Sequence, residues 1–203
     1  MFSETELEAL KISVSKRMSK RRFLHTLAVE KCAVALGELL LKDRIPELRA
    51  AALLHDVAKE IPKDELRSLM SRSNFDFAEE DYASEGILHS FAGAEVIKNE
   101  YPKFATKDIL NSVFYHTVGR ENMTLFEKII FISDYAEETR RYESCQRVRE
   151  ELFSNLDKLS ATEQIKRLDK ACFDAAEGTV RALIASGMHV NSRIYKTKNS
   201  LQF

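Results

Sequence analysis

The chain has 203 residues, of which only 6 are Gly and 3 are Pro, and its 31 Lys and Arg residues nearly balance its 32 Asp and Glu residues. Because β-rich folds need turn residues about every 8 to 12 positions, this shortage favours an all-α fold and argues against sandwiches, barrels and doubly wound sheets. The formal net charge of −1 argues against a global attraction to nucleic acid or to an anionic membrane. At roughly 150 residues per domain, we expect a single domain over 1–203.

The cysteines and the lengths of the apolar runs indicate the cellular compartment in which the protein is expected. Cys32, Cys145 and Cys172 are odd in number and far apart, which argues against a disulfide framework or a thiolate metal site. The N-terminus lacks the apolar core of a secretory signal. The longest apolar run, 50–54, is far shorter than the roughly 18 residues of a membrane-spanning helix. We therefore expect a soluble cytoplasmic protein.

Apolar residues recur at the three-and-four spacing of a helix face along most of the chain, and capping residues stand where several of these stretches begin. Pro, Gly and aperiodic polar segments mark their ends. These signals predict a first helix that starts at the capping box of Ser3, a second over 22–41, a third from Pro46 to near His55 and Asp56, and a fourth that begins at Pro62. Further helices are predicted over 89–100, 106–115 and 125–138.

Three further segments complete the chain. Residues 73–81 are polar and aromatic without a period and are predicted as a loop. The stretch 143–186 is amphipathic and highly charged, and Gly187 fits a left-handed helix cap. The polar tail 188–203 is expected to be loosely attached.

A basic stretch lies between Lys11 and Arg22, with six Lys and Arg residues and no acidic residue. One interpretation is a solvated helix face. The other is a cationic approach to an anionic ligand.

Four histidines and two aspartates stand on or beside predicted apolar faces: His25, His55, Asp56, His89, His116 and Asp134. A lone imidazole there is most often a hydrogen-bonded core residue, but six such groups would be costly to bury without a compensating partner. A divalent cation would compensate for that cost. Imidazoles and carboxylates without a thiolate suit iron, manganese or zinc in a site that leaves room for water.

The order of these residues resembles a known signature. His25 is followed thirty positions later by the pair His55 and Asp56, and Asp134 comes further along the chain. This order is similar to that of the HD-domain metal phosphohydrolases. The resemblance implies an all-α helical bundle with the metal site in its core.

Two segments narrow the resemblance to one branch. They are LHSFAGA at 88–94 and YHTVGRENMTLFEKIIFISDY at 115–135. In combination they resemble the YqeK-type HD-domain family, bacterial symmetrical diadenosine tetraphosphate hydrolases, over about residues 18–187. The chain departs from that family's common pattern at Val57, where an aromatic is usual, and at 136–140, which reads AEETR in place of a stretch with Pro and Gly.

The resemblance also implies how the ligands are shared. One ion would be held by His25, His55, Asp56 and Asp134, and a second by His89 and His116 with Asp56 as the bridge. Two ions roughly 3.5 to 4 Å apart can generate a bridging hydroxide near neutral pH, so Asp56 would serve catalysis by holding both. We expect two divalent or mixed-valence transition-metal ions, iron first, with manganese and zinc as alternatives.

Four residues close to these ligands in sequence are candidate substrate contacts. Lys59 stands four residues after His55, one helical turn along, where its amine could reach a bound phosphate and assist catalysis. Arg120 follows the flexible Gly119 and offers a bidentate contact, and Thr117 offers a hydroxyl. For Lys59, a surface position at a helix end is the alternative.

The resemblance implies a metal-dependent hydrolase that cleaves diadenosine tetraphosphate symmetrically, through a metal-bridging hydroxide, into two ADP. The residues by themselves indicate only a metal phosphohydrolase. The substrate could therefore also be a deoxynucleotide, a guanosine polyphosphate or another dinucleoside polyphosphate. A nucleotide-binding regulatory module without turnover is a third interpretation. No nucleic acid or membrane is expected as a partner, and a homodimer is left open.

Overall fold

The computed structural model describes residues 2–201 and 203. That part of the chain is all-α, without a strand. Its α-helices are α1 (Glu4–Ser15), α2 (Lys20–Leu40), α3 (Ile45–Leu54), α4 (Lys63–Ser71), α5 (Glu79–Ala83), α6 (Leu88–Glu100), α7 (Lys107–Tyr115), α8 (Leu125–Ala136), α9 (Glu143–Phe153), α10 (Ala161–Ala185) and α11 (Ser192–Ser200). The predicted all-α fold is confirmed.

Capping chemistry fixes several of the helix ends. The hydroxyls of Ser3 and Thr124 accept from the backbone three residues on, and Glu6 and Glu127 bond back to the cap residues, so both predicted capping boxes are confirmed. Gly187 follows α10 with φ at +65°, as predicted for a left-handed cap.

Helix α3 is the centre of the bundle. It packs against α1, α2, α7 and α8, and its residues 50–54 are fully buried. Because α3 ends at Leu54 inside the protein, the residues that follow it enter the interior. None of the described helices combines the length and the apolar character needed to span a bilayer.

Two predictions about irregular segments need correction: the loop over 73–81 is confirmed for residues 73–78 but is wrong from Glu79 onward, and the expectation of a loosely attached tail is wrong. Within the predicted loop 73–81, residues from Glu79 begin the short helix α5, whose start is fixed by Asp81 accepting from the Ala78 amide at 3.0 Å. The tail is not loose, because α11 packs on α10 and buries Ile194 and Thr197.

Polar contacts hold α11 in place. Arg193 donates to both carboxylate oxygens of Asp81, at 2.9 and 2.7 Å. Asn191 donates to the same carboxylate at 3.0 Å, and the Thr197 hydroxyl donates to the carbonyl of Val118 at 2.7 Å. Bonds of this kind have no apolar period, so hydrophobic patterning did not reveal this helix.

Candidate metal centre

Five helices bring the six predicted ligands to one point in the interior. The ligands come from within or directly after these helices: His25 on α2, His55 and Asp56 after α3, His89 on α6, His116 after α7 and Asp134 on α8. In each of two three-residue groups, the potential ligand atoms all lie within 4.8 Å of one another. The groups are His25, His55 and Asp134, and His55, Asp56 and His116. These groups contain five of the six predicted ligands, with His55 in both, and the sixth, His89, joins them because its Nε2 lies 3.1 Å from Asp56 Oδ1.

Asp56 lies between two pairs of imidazoles. Its Oδ1 is 3.1 Å from His89 Nε2 and 3.6 Å from His116 Nε2. Its Oδ2 is 3.5 Å from His55 Nε2 and 3.8 Å from His25 Nε2. Each carboxylate oxygen thus faces a different pair of rings, which is the geometry that a bridging ligand needs.

Two of the rings are held in one tautomer by the ends of their own helices. His55 Nδ1 donates to the carbonyl of Ala52, and His116 Nδ1 donates to the carbonyl of Val113, both at 2.7 Å. Because a carbonyl can only accept, Nδ1 carries the proton and the lone pair of Nε2 faces the centre. Metal-ligating imidazoles typically have such a partner behind them.

His25 has a carboxylate behind it. Its Nδ1 lies 3.1 Å from the buried Glu137, while its Nε2 lies 3.0 Å from Asp134. Burial alone would lower the pKa of His25, but the hydrogen bonds to Asp134 and Glu137 outweigh burial and raise it to about 9. The position of the Nε2 proton is also where a cation would bind, so a metal ion would replace that proton.

The donor set fits a divalent metal. The Nε2 atoms of His55 and His25 are 3.3 Å apart, and those of His89 and His116 are 3.2 Å apart. Burial lowers the pKa of His89 to about 3, so this ring is neutral and offers a lone pair. Converging lone pairs and carboxylates repel one another unless a cation lies among them, and nitrogen and oxygen ligands of this kind suit borderline first-row metals.

Three basic side chains approach the carboxylates. Arg22 donates to Asp56 at 2.7 Å, and Arg140 donates to Asp134 at 2.7 Å. Burial would raise the pKa of Asp134, but Arg140 and the imidazoles outweigh it and hold this pKa well below its usual range. The Nζ of Lys59 is 3.1 Å from His89 Nε2, and burial lowers the pKa of Lys59. The centre is therefore rimmed by cations that an anionic ligand would meet.

A cavity of about 490 Å³ opens onto this centre, and we call it the metal-facing cavity. Its lining includes Lys59, His116, Thr117, Asp134 and Arg140. The opposite wall is the α10 segment that contains Gly178, where a Cβ atom would meet the Tyr135 hydroxyl. Lys59 and Thr117 therefore line the cavity beside the ligand cluster, although α3 ends at Leu54 and does not extend to Lys59.

The structure does not bring Arg120 and Gly119 to the metal-facing cavity. They line a separate cavity of about 220 Å³, and Arg120 is bonded to the buried Glu127 at 3.0 Å. Gly119 has φ at +67°, and a Cβ there would meet Thr197 of α11. This left-handed turn leads the chain away from His116, which explains why nearness in sequence did not become nearness in space.

Sequence reasoning missed two residues that support the ligands. Glu137 holds His25, and Arg140 holds Asp134. A signal existed for Glu137, since it lies three residues after Asp134 at helical spacing. Arg140 lies beyond the C-terminus of α8 in an irregular segment, and no periodicity points to it.

A buried cluster of imidazoles and carboxylates, held by five helices of an all-α bundle, defines a metal-binding protein of the HD type. A family model described as "HD domain" matches residues 22–162. The chain belongs to the HD-domain family, in the branch whose curated members are named symmetrical bis(5'-nucleosyl)-tetraphosphatase, a kind of hydrolase. The resemblance given by the sequence motifs is thereby confirmed.

Similar proteins cover most of the chain. A relative of that name from Bacillus subtilis (strain 168) is 30% identical over 188 residues, which are 93% of this chain and 93% of the relative. Another from Halalkalibacterium halodurans is 32% identical over 146 residues, 71% of this chain and 75% of the relative. A crystal structure of a predicted HD superfamily hydrolase involved in NAD metabolism, from Clostridium acetobutylicum, is 27% identical with a TM-score of 0.81, and covers 99% of this chain and 97% of that one.

Proposed function

We propose that this protein hydrolyses dinucleoside tetraphosphates symmetrically, and that diadenosine tetraphosphate yields two molecules of ADP. The observation that carries the proposal is Asp56, whose two oxygens face two separate pairs of imidazoles below a cavity edged by cations. The curated relatives named symmetrical bis(5'-nucleosyl)-tetraphosphatase support the choice of substrate.

The centre would hold two ions, with iron as the first candidate and manganese or zinc as alternatives. His25, His55, Asp56 and Asp134 would hold one ion, and His89, His116 and Asp56 would hold the other. When bound, such ions make water nucleophilic near neutral pH and neutralise charge on phosphoryl oxygens. The protein then needs no separate strong base.

The cationic side chains bind and orient the polyphosphate. Lys59 is partly buried and lines the metal-facing cavity together with His116. Its ammonium group would donate to a phosphoryl oxygen of a substrate bound there. Arg140 reaches the same cavity and offers planar donors to a second phosphate. The Ser90 hydroxyl donates to the Ile87 carbonyl at 2.8 Å, so the Thr117 hydroxyl donates to Ser90 at 2.9 Å and keeps its oxygen free to accept from a donor group of the substrate. Together these groups hold the reacting phosphorus in register with the ligand cluster.

Product analysis tests the substrate and the position of cleavage. Metal-replete protein is incubated with diadenosine tetraphosphate in water labelled with heavy oxygen, and products are separated and weighed. We expect ADP alone, with one label for every two molecules. AMP and ATP as primary products would overturn symmetrical cleavage. A parallel panel of deoxynucleotides and guanosine polyphosphates tests the other substrates, and nucleotide binding with full metal occupancy but no turnover would favour a regulatory module.

Metal stoichiometry tests the ligand assignment. Asp56→Ala should lose both ions and nearly all activity, because this carboxylate serves both positions. The control is Asp64→Ala, whose side chain is 99% exposed. His116→Ala should empty one position, and Asp134→Ala should weaken the other. Near-native turnover in Asp56→Ala would contradict the bridging role.

A further inference from the structure

A second cavity of about 320 Å³ adjoins the metal-facing cavity. The two cavities share five of their lining residues: Gly86, Ile87, Thr117, Thr179 and Leu183. The two spaces are therefore neighbouring compartments of one groove.

The ligand cluster borders the metal-facing cavity, next to the wall that the two cavities share. Asp134, Tyr135 and Tyr142 line only the metal-facing cavity, whereas Thr117, directly after the ligand His116, belongs to the shared wall. Beyond that wall the second cavity continues to His189. A ligand whose centre lies over the cluster thus has room in both directions.

The two compartments differ in charge. The metal-facing cavity is lined by Lys59 and Arg140. Among the residues that line the second cavity there is no Lys or Arg, and the acidic Glu85 is present. The second cavity therefore suits an uncharged group better than a phosphate.

The walls of the second cavity have the mixed character of a small-molecule site. Val118 and Ile194 give buried apolar surface, and Ser84 and Asn191 are buried polar residues. His189 stands at the rim with its side chain 56% exposed. Ligand sites of about 300 to 1,000 Å³ with mainly apolar walls and a few fixed polar groups are typical for groups the size of a nucleoside.

The C-terminal segment builds one side of this cavity. Met188, His189, Asn191 and Ile194 all contribute to its lining. Asn191 is held by its bond to Asp81. Undocking of α11 would therefore remove part of one side of the cavity.

We propose that the second cavity binds one nucleoside of a dinucleoside polyphosphate, while the metal-facing cavity holds the other nucleoside and the phosphates lie over the ligand cluster. This inference rests on the proposed function. It accounts for central cleavage, because a nucleoside on each side fixes the midpoint of the phosphate chain.

Two substitutions fill the second cavity from opposite sides. Ala83 and Met188 are exposed, line the second cavity and do not line the metal-facing cavity. Ala83→Trp and Met188→Trp therefore add bulk without burying a new group in the core. Ala161→Trp, at the exposed start of α10, is the matched control.

The first measurement is calorimetric binding of ADP to the metal-replete protein. We expect two ADP per chain for the wild-type protein and for Ala161→Trp, and one for each cavity-filling variant. The second is steady-state hydrolysis. KM for diadenosine tetraphosphate should rise about tenfold in the filled variants, while KM for adenosine tetraphosphate, which has one nucleoside, should not change.

The outcomes separate this inference from the proposed function. Symmetrical cleavage by wild-type protein that binds one ADP, with an unchanged KM in both filled variants, would overturn the second nucleoside site and leave the function standing. Two ADP bound per chain without any cleavage would overturn the function and leave the site standing. An equal rise in KM for both substrates would also count against the inference.

Discussion

Replacing Glu137 with Gln should weaken metal binding without removing any ligand. Glu137 Oε1 accepts from His25 at 3.1 Å and from the Thr139 hydroxyl at 2.6 Å, while Oε2 accepts from the Thr139 amide. Glutamine has only one acceptor oxygen, so at least one of these donors faces an NH₂ group in either orientation of the amide. An unpaired buried donor costs about 1–3 kcal/mol. Loss of such a partner behind a ligand typically lowers metal affinity by about 10- to 100-fold.

The assay is competition for Mn²⁺ or Zn²⁺ against a chromophoric chelator. The matched control is Glu138→Gln, because Glu138 is exposed and pairs with Lys31 at 2.7 Å on the surface. We expect the control to stay within twofold of the wild-type affinity. If Glu137→Gln also stayed within twofold, or if both variants lost affinity equally, the argument that Glu137 orients His25 would be wrong.

Three further predictions concern α11 and the metal. Gly119→Ala should lower the free energy of unfolding, measured by urea denaturation, by about 1–3 kcal/mol. The loss should exceed that of the control Gly187→Ala, because φ is also positive at Gly187 but a Cβ atom there meets nothing within 4 Å. Burial would raise the pKa of Asp81, but the hydrogen bonds from Arg193 and Asn191 outweigh burial and hold this pKa below its ordinary value of 3.8. The docking of α11 should therefore be fully stabilised above pH 3.8 and should be lost as the pH falls below that value, which limited proteolysis would detect as new cleavage. The Asp81→Asn variant should be cleaved already at neutral pH. Removing bound metal with a chelator should lower the melting temperature of the wild-type protein and barely change that of Asp56→Ala.

The sequence predicted the helices well where a local rule decides them. The capping boxes at Ser3 and Thr124 and the cap at Gly187 depend on residues only a few positions apart. Helix α11 was missed because its docking depends on Asp81 and Arg193, which are distant in sequence and carry no period. Long-range polar pairs of this kind follow from the tertiary fold alone.

The candidate site shows the same division between residues that a local pattern reveals and residues that only the tertiary fold brings into place. The clustering of the six side chains could be predicted because charged or titratable groups on apolar faces are conspicuous. Two of the supporting residues could not be predicted, because Arg140 lies in an irregular segment and Arg22 stands among other basic residues with two interpretations. The bond from Arg22 to Asp56 favours the interpretation of a cationic approach for that one residue. Arg120 fell away from the site because Gly119 redirects the backbone.

The bonds from His55 and His116 to the carbonyls three residues before them have a consequence for how the centre assembles. Ala52 and Val113 lie in the last turns of α3 and α7, where backbone carbonyls lack helical partners. Each ring therefore acts as the C-terminal cap of its own helix and is oriented before any ion arrives. Little conformational entropy remains to be lost on metal binding at these two positions. Shortening or lengthening either helix by one residue would rotate its ring by about 100°, so we expect insertions to be tolerated in the connection between α9 and α10 but not within α3 or α7.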